Sequence, residues 1–195
     1  MRKILLIVCA TIFALNVNAQ TVSSVLDNGE YQNGTTIYAK ANAGIGDMLK
    51  AFGDNFGGEF MDAFNQYLKN KDAYNNSMYY IDYAPQNGYA KIDMAVQYSN
   101  YIESCYWKRT NGHKLLAIYV YESGEGDYEN ACLLFYDYNP ATNAMEPDLN
   151  LYEKFVPIVE KGYSIKLPKT GKNIIYGFYN KPQKTATWTG MNFNF

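Results

Sequence analysis

One histidine, His113, two cysteines outside the leading apolar run, Cys105 and Cys132, and 19 carboxylates are the groups in this chain able to shuttle protons, attack carbon or hold a metal. A lone imidazole cannot build a His-based metal site without carboxylates or thiolates gathered from elsewhere. His113 follows Asn111-Gly112 inside CYWKRTNGHKLLAIYVYES, residues 105 to 123. It therefore falls at a turn between two apolar runs, where an exposed polar residue is expected rather than a general base. Asp82, Asp93 and Glu103 stand in strand-like stretches, where an inward acid would be costly, and simple alternation turns all three outward. Two carboxylates about 5 to 10 Å apart suffice for a glycosidase, which keeps a secreted hydrolase working by paired carboxylates as the alternative reading. Glu122, Glu125, Asp127 and Glu129 crowd one loop and could hold a hard cation. Their spacing matches no known cage, and a solvated acidic hairpin tip is the simpler account.

The recognisable catalytic signatures are missing. Gly171-Lys172 lacks the earlier glycine and the following Ser or Thr of a phosphate loop, and reads better as the turn of the hairpin SIKLPKTGKNIIYGF. There is no G-x-S-x-G elbow, no C-x-x-C, no H-E-x-x-H and no complete calcium loop. The sequence thus assigns no catalytic residue, no metal ligand and no cofactor.

The first twenty residues, MRKILLIVCATIFALNVNAQ, carry Arg2 and Lys3, an apolar run from Ile4 to Leu15, and small residues ahead of Gln20. This is the pattern of a secretory signal peptide over residues 1 to 19, with an apolar run too short to span a bilayer. Cys9 lies inside that run and not at the cleavage point, against a lipoprotein. The expectation is an exported chain of residues 20 to 195, one α+β domain, soluble in the periplasm or outside the cell. Loss of Arg2 and Lys3 takes the formal charge from -2 to -4. With no arginine-rich or lysine-rich cluster apparent, neither nucleic acid nor an anionic membrane surface is an expected partner.

From Ile45 to Leu68 apolar residues recur at steps of three and four, predicting an amphipathic helix interrupted at Gly53 and at Gly57-Gly58. Beyond residue 77 the period becomes strand-like, with runs at 78–83, 89–96, 98–108, 114–121, 131–138, 163–167, 173–179 and 184–189. Short strands with short connections pair antiparallel. Residues 139 to 157 read as a long, Pro-punctuated connection. Leu116, Ile118 and Val120 fall on one face of their strand and Leu115, Ala117, Tyr119 and Tyr121 on the other, so both faces must be covered. The predicted fold is α+β: an N-terminal helical segment packed on an extended, curved antiparallel sheet, with barrel-like curvature in view.

A two-residue Asn111-Gly112 turn would set Trp107 opposite Leu116, Cys105 opposite Ile118 and Glu103 opposite Val120. A following hairpin turning over GEGDYEN, residues 124 to 130, would set Cys132 near Glu122. The cysteines would then lie roughly 13 Å apart, beyond the ~7 Å a disulfide bridges. Two separate, buried thiols are expected.

Twenty tyrosines, ten phenylalanines and two tryptophans set the composition apart. Half-buried sheet explains most of them, and Trp107 is most simply the core anchor of its hairpin. A sharper use is a row of rings stacking on sugar faces. On that reading the candidate ligand-binding residues are Tyr106, Trp107, Tyr119, Tyr121 and Trp188. The function expected is a non-enzymatic binding or envelope-associated module for a glycan, peptide or protein. Its oligomeric state is left open.

The basic leader ending Ala-Gln, the run WKRTNGHKLLA, the run LLFYDYNPATNAMEPDL and the Tyr-rich, Trp-containing end resemble small secreted proteins of unknown function from Bacteroidetes, especially gut Bacteroidales. The resemblance covers roughly residues 100 to 195 and rests on hairpin and turn motifs. It implies a Gram-negative envelope or gut-lumen protein and transfers no active-site residue.

Overall fold

The computed structural model describes Tyr31, residues 33–71, Tyr74, and residues 78–95, 99–123, 129–178 and 180–195. The signal segment and most of the acidic stretch from Glu122 to Glu129 lie outside the described residues.

Two helices form where the apolar stripe predicts them. Helix α1 (Ile45–Phe56) buries Ile45, Met48, Leu49 and Phe52, the i, i+3, i+4, i+7 pattern of one face. The Asp47 carboxylate accepts the Gly44 amide at 2.9 Å, satisfying an orphan donor at the helix start. The chain breaks at Gly57-Gly58 and resumes as α2 (Glu59–Lys69), which buries Phe60, Met61 and Phe64. Gly53, expected to interrupt the stripe, instead stays inside α1. A Cβ there would lie 2.7 Å from that of Met61, so the missing side chain lets the two helices touch.

Seven strands make an antiparallel sheet: β1 (Ile37–Tyr38), β2 (Tyr79–Ala84), β3 (Tyr89–Ala95), β4 (Ser99–Lys108), β5 (Lys114–Ser123), β6 (Glu129–Asn139) and β7 (Ala144–Pro147). Their order is β1-β7-β6-β5-β4-β3-β2, a meander with β1 added at the far edge. The sheet stays open, so it is no closed barrel. A second, four-stranded antiparallel sheet holds β8 (Ser164–Lys166), β9 (Ile174–Gly177), β10 (Lys184–Trp188) and β11 (Phe193–Asn194).

The faces of β5 separate as the alternation predicts. Leu116, Ile118 and Val120 join the core under α1 and α2, while Leu115, Ala117 and Tyr119 join a second core beneath the smaller sheet. Each fully buried Leu, Ile or Phe contributes about 1.5–3 kcal/mol, so both cores are substantial. Residues 139–157, expected to be a connection, contain β7 and a third helix, α3 (Leu149–Val159). Asp148 caps α3 by accepting the Leu151 amide at 3.1 Å, and Pro157 is tolerated near its end. This helix packs against β6, which β7 pairs only from Tyr136 onward. The Tyr31 hydroxyl accepts the Phe135 amide at 2.9 Å and donates to the Phe135 carbonyl at 2.8 Å, closing β6 where β7 ends.

The β4–β5 register differs from the expected one by a single residue. Trp107 faces Leu115, Cys105 faces Ala117 and Glu103 faces Tyr119. The turn holds three residues, Thr110, Asn111 and Gly112: the Gly112 amide bonds the Arg109 carbonyl, and Gly112 closes the loop at φ +87°. That is a type I turn followed by a glycine in the left-handed region, the second commonest way to close a hairpin. Directly opposed residues share a face, so the shift carries Glu103, Cys105 and Trp107 from the helix side to the other. Cys132 pairs with Val120 rather than near Glu122, and the two cysteines are free, buried, and on opposite faces. Among the described residues no helix is long and apolar enough to cross a membrane.

Candidate binding surface

Antiparallel register places Tyr80 beside Asp93, Asp93 beside Tyr101, Tyr101 beside Tyr121, and Tyr121 beside Ala131. One row of side chains thus crosses five strands on the face that also carries the second sheet. Tyr80 is 68% exposed, and Tyr101 and Tyr121 are half-buried. The last two stack at 5.3 Å between centroids with planes 28° apart. Lys91, two residues from Asp93 and on the same face, sets its ammonium 4.3 Å over the Tyr101 ring and 2.7 Å from the Asp93 carboxylate. A flat strip of rings edged by one cation and one anion is suited to a ligand with apolar faces and hydroxyl edges.

The second layer docks on the neighbouring row. The Leu167 amide donates to Glu103 at 3.0 Å, and the Lys169 ammonium reaches Asp82 at 2.6 Å. The tyrosine row therefore runs along the margin of that layer, with Tyr101 and Tyr121 partly packed against its core and Tyr80 beyond it. Glu103, expected to point outward, is 6% exposed and lies between the layers, with its other oxygen accepting the Tyr89 hydroxyl at 2.7 Å. Burial raises its carboxyl above the usual range, partly offset by the Leu167 amide and the Tyr89 hydroxyl. Burial likewise raises the Tyr89, Tyr101 and Tyr119 hydroxyls, which stay protonated and serve as neutral hydrogen-bonding groups. The Cys132 thiol is pushed up to about 12 by burial and the Cys105 thiol well above its ordinary value, so neither supplies a thiolate nucleophile.

Asp82 and Asp93 are partly exposed and paired with lysines. His113 is not a free surface residue. Its Nδ1 donates to Asp137 Oδ2 at 2.5 Å, and Asp137 Oδ1 accepts Arg109 Nη1 at 2.5 Å. Arg109, only 8% exposed, also gives Nη2 to Asp148 at 2.5 Å and Nε to the Met191 carbonyl at 3.0 Å. The imidazole–carboxylate pair has the form of a base and its orienting group. Among the described residues, however, no hydroxyl or thiol hydrogen-bonds its other nitrogen. The guanidinium group ties the β4–β5 turn, β6, the α3 cap and the β10–β11 turn together, which is a structural clamp.

The five ring residues singled out from sequence divide into three places. Trp107 stacks on Trp188 at 5.7 Å, meets Phe193 edge-on at 5.0 Å, and donates its indole N–H to the Lys172 carbonyl at 2.8 Å. Tyr119 is interior and touches Tyr101, which leads to Tyr121 in the exposed row. Tyr106 stands on the opposite face, under the Lys114 ammonium at 5.3 Å. Sequence reasoning missed Tyr80, Tyr101 and Lys91, and gave Asp93 only as an outward-facing strand carboxylate. The signal for them was the Pro85-Gln86-Asn87-Gly88 turn, which fixes Ala84 against Tyr89 and so sets the β2–β3 register.

A small cleft of about 120 Å³ opens between β6 and α3, lined by Ala131, Cys132, Leu133, Tyr152, Val156, Val159 and Glu160, with one carboxylate among its walls. Among the described residues no three His, Cys, Asp or Glu side chains gather as metal ligands. No protein-family model matches the chain, and neither does any curated protein or solved structure.

Proposed function

We propose that this protein is an exported, non-enzymatic binding module that takes carbohydrate along the row formed by Tyr80, Tyr101 and Tyr121. The observation that carries the reading is the register, which sets these three rings in one row across β2, β4 and β5 at the margin of the covered face. Adjacent strands lie about 4.8 Å apart, so Tyr80 and Tyr101, two strands apart, are separated by about 10 Å along a flat surface. Sugar rings present apolar faces to such a strip and hydroxyls to Lys91 and Asp93. The leader over residues 1 to 19 would deliver the protein to the periplasm or beyond, in keeping with the likeness to secreted Bacteroidetes proteins. Nucleic acid has no part in this reading.

The test is an oligosaccharide array probed with the chain from Gln20 onward, followed by calorimetry on the best binder. Tyr80→Ala should weaken binding about tenfold, the equivalent of 1.4 kcal/mol, with unchanged thermal stability. An array without hits, or a Tyr80→Ala variant that binds as the parent does, ends this reading.

Glu103 favours the alternative, a hydrolase with paired carboxylates, because a buried carboxyl held above its usual range is the form a general acid takes. Both of its oxygens are already engaged by Tyr89 and Leu167, and this supports a layer-joining role instead. Turnover of chromogenic glycosides that disappears in Glu103→Gln would reverse the preference.

A further inference from the structure

Charge is segregated along this chain in a way its net value conceals. All 19 acidic residues precede residue 161, while residues 161 to 195 hold six lysines and no acid. Spread through 35 residues, these lysines form no cluster in sequence. The second sheet collects them. Lys161, Lys181 and Lys184 lie at one end of it, Lys184 closing the register row of Tyr176 and Ile165, while Lys169 and Lys172 lie at the other end in the β8–β9 turn and Lys166 stands on the outward face between. All six are exposed. Among the described residues only Lys169 reaches a carboxylate, that of Asp82. The other five form no ion pair among the described residues, although Lys166 lies near enough to the buried Glu103 to favour its charged form, and they spread over strands that extend about 15 Å.

What surrounds the lysines narrows the partner. The outward positions of the sheet are Ser164, Thr185, Thr187 and Asn194, with Ile175, 40% exposed, the one apolar side chain among them. That face offers hydrogen bonds to hydroxyls, with the exposed Phe178 ring confined to one end of the sheet. At one end, Lys181 sits 5.0 Å over the Phe178 ring and Lys184 5.7 Å over that of Tyr163, while the two rings meet edge-on at 4.7 Å. Exposed ring edges beside ammonium groups fit a sugar that carries a negative charge. Residues 161 to 195 hold no arginine for bidentate recognition of phosphate or guanine.

We infer that the lysine-bearing ends of the β8–β11 sheet, with the outward face between them, are a docking surface for an acidic polysaccharide, one with carboxylate or sulfate groups repeated along an extended chain. The surface lies on a different layer from the tyrosine row and does not depend on it. Binding is electrostatic at long range and hydrogen-bonded at contact, so it weakens with salt.

The experiment passes the chain from Gln20 onward over immobilised dextran sulfate, polygalacturonate and unmodified dextran. Retention is expected on the two acidic polymers and not on dextran, with affinity falling at least about tenfold between roughly 50 and 200 mM salt. The triple variant Lys166→Glu, Lys181→Glu, Lys184→Glu, shown to be folded by circular dichroism, should lose retention. Lys40→Glu with Lys50→Glu on the helical layer should keep it, and so should Tyr80→Ala, which separates this surface from the tyrosine row. Equal retention on dextran, retention by the triple variant, loss in the helical-layer control, or equally tight binding to duplex DNA or to phosphatidylglycerol vesicles would each overturn the inference.

Discussion

The two faces of the seven-stranded sheet are closed by different means. On one, α1 and α2 lay a continuous apolar stripe over Ile92, Ile102, Leu116, Ile118 and Leu134, all buried. On the other, a small sheet and α3 cover Cys105, Leu115, Ala117 and Phe135, and the cover then stops. Polar chemistry collects where it stops: Glu103 between the layers, the Asp82–Lys169 pair at the rim, and the tyrosine row beyond. A long helix pair can shield a whole face because its stripe repeats every turn, whereas three- to five-residue strands cannot reach the margin. Binding is proposed at the incompletely covered side for that reason.

Removing a ring from the closed face should cost most. Phe52, fully buried and edge-on to Tyr136 at 5.9 Å, leaves a cavity on truncation, and Phe52→Ala should lose about 4 kcal/mol in urea unfolding. Next comes the clamp at one end of the open face. Arg109→Met strands the Asp137 and Asp148 carboxylates, and a loss of about 3 kcal/mol is expected by the same measurement. A change below 1 kcal/mol would mean that the clamp is ornamental.

Tyr101→Ala, at the margin, should cost only about 1.5 kcal/mol, mostly its stacking on Tyr121. If it matched Phe52→Ala, the two faces would be equally closed and the contrast would fail. The smallest effect is a pH dependence. Burial raises the Glu103 carboxyl in the folded state, so folding favours its protonated form. Its contribution is fully present below the ordinary glutamate range and is lost as pH rises through the raised folded value. Glu103→Gln removes this titration, so the variant should gain stability relative to the parent as pH rises across that window. Parallel stability curves for the two proteins would show that Glu103 does not titrate there.

Much of the architecture could be read directly. The Ile45–Phe56 stripe, the two-sided strand at Lys114–Ser123 and the turn at Gly171 are local patterns, and each appears where expected. The misreadings came from elsewhere. Helix α3 escaped notice because Asn, Pro and a short stripe disguise it, and tertiary contact with β6 supplies what propensity lacks. Glu103 was turned outward on alternation alone, and the cross-strand partners of β4 were misassigned because an Asn-Gly pair was given two loop residues when the loop holds three. A period of two makes that single residue decide the face of every side chain on the strand.

The amino-acid order alone determined which residues are apolar on which side of each element, since periodicity is a property of neighbours three, four or two positions apart. It also fixed the lopsided charge, six lysines without an acid after residue 160. Only the tertiary structure decided which side chains share a row or a contact across strands: Tyr101 with Tyr121, Arg109 with Asp148, Lys166 with Ile175 and Thr185. Those adjacencies depend on loop lengths and on which edge each strand joins, and both are settled when distant segments pack and bury their shared surface.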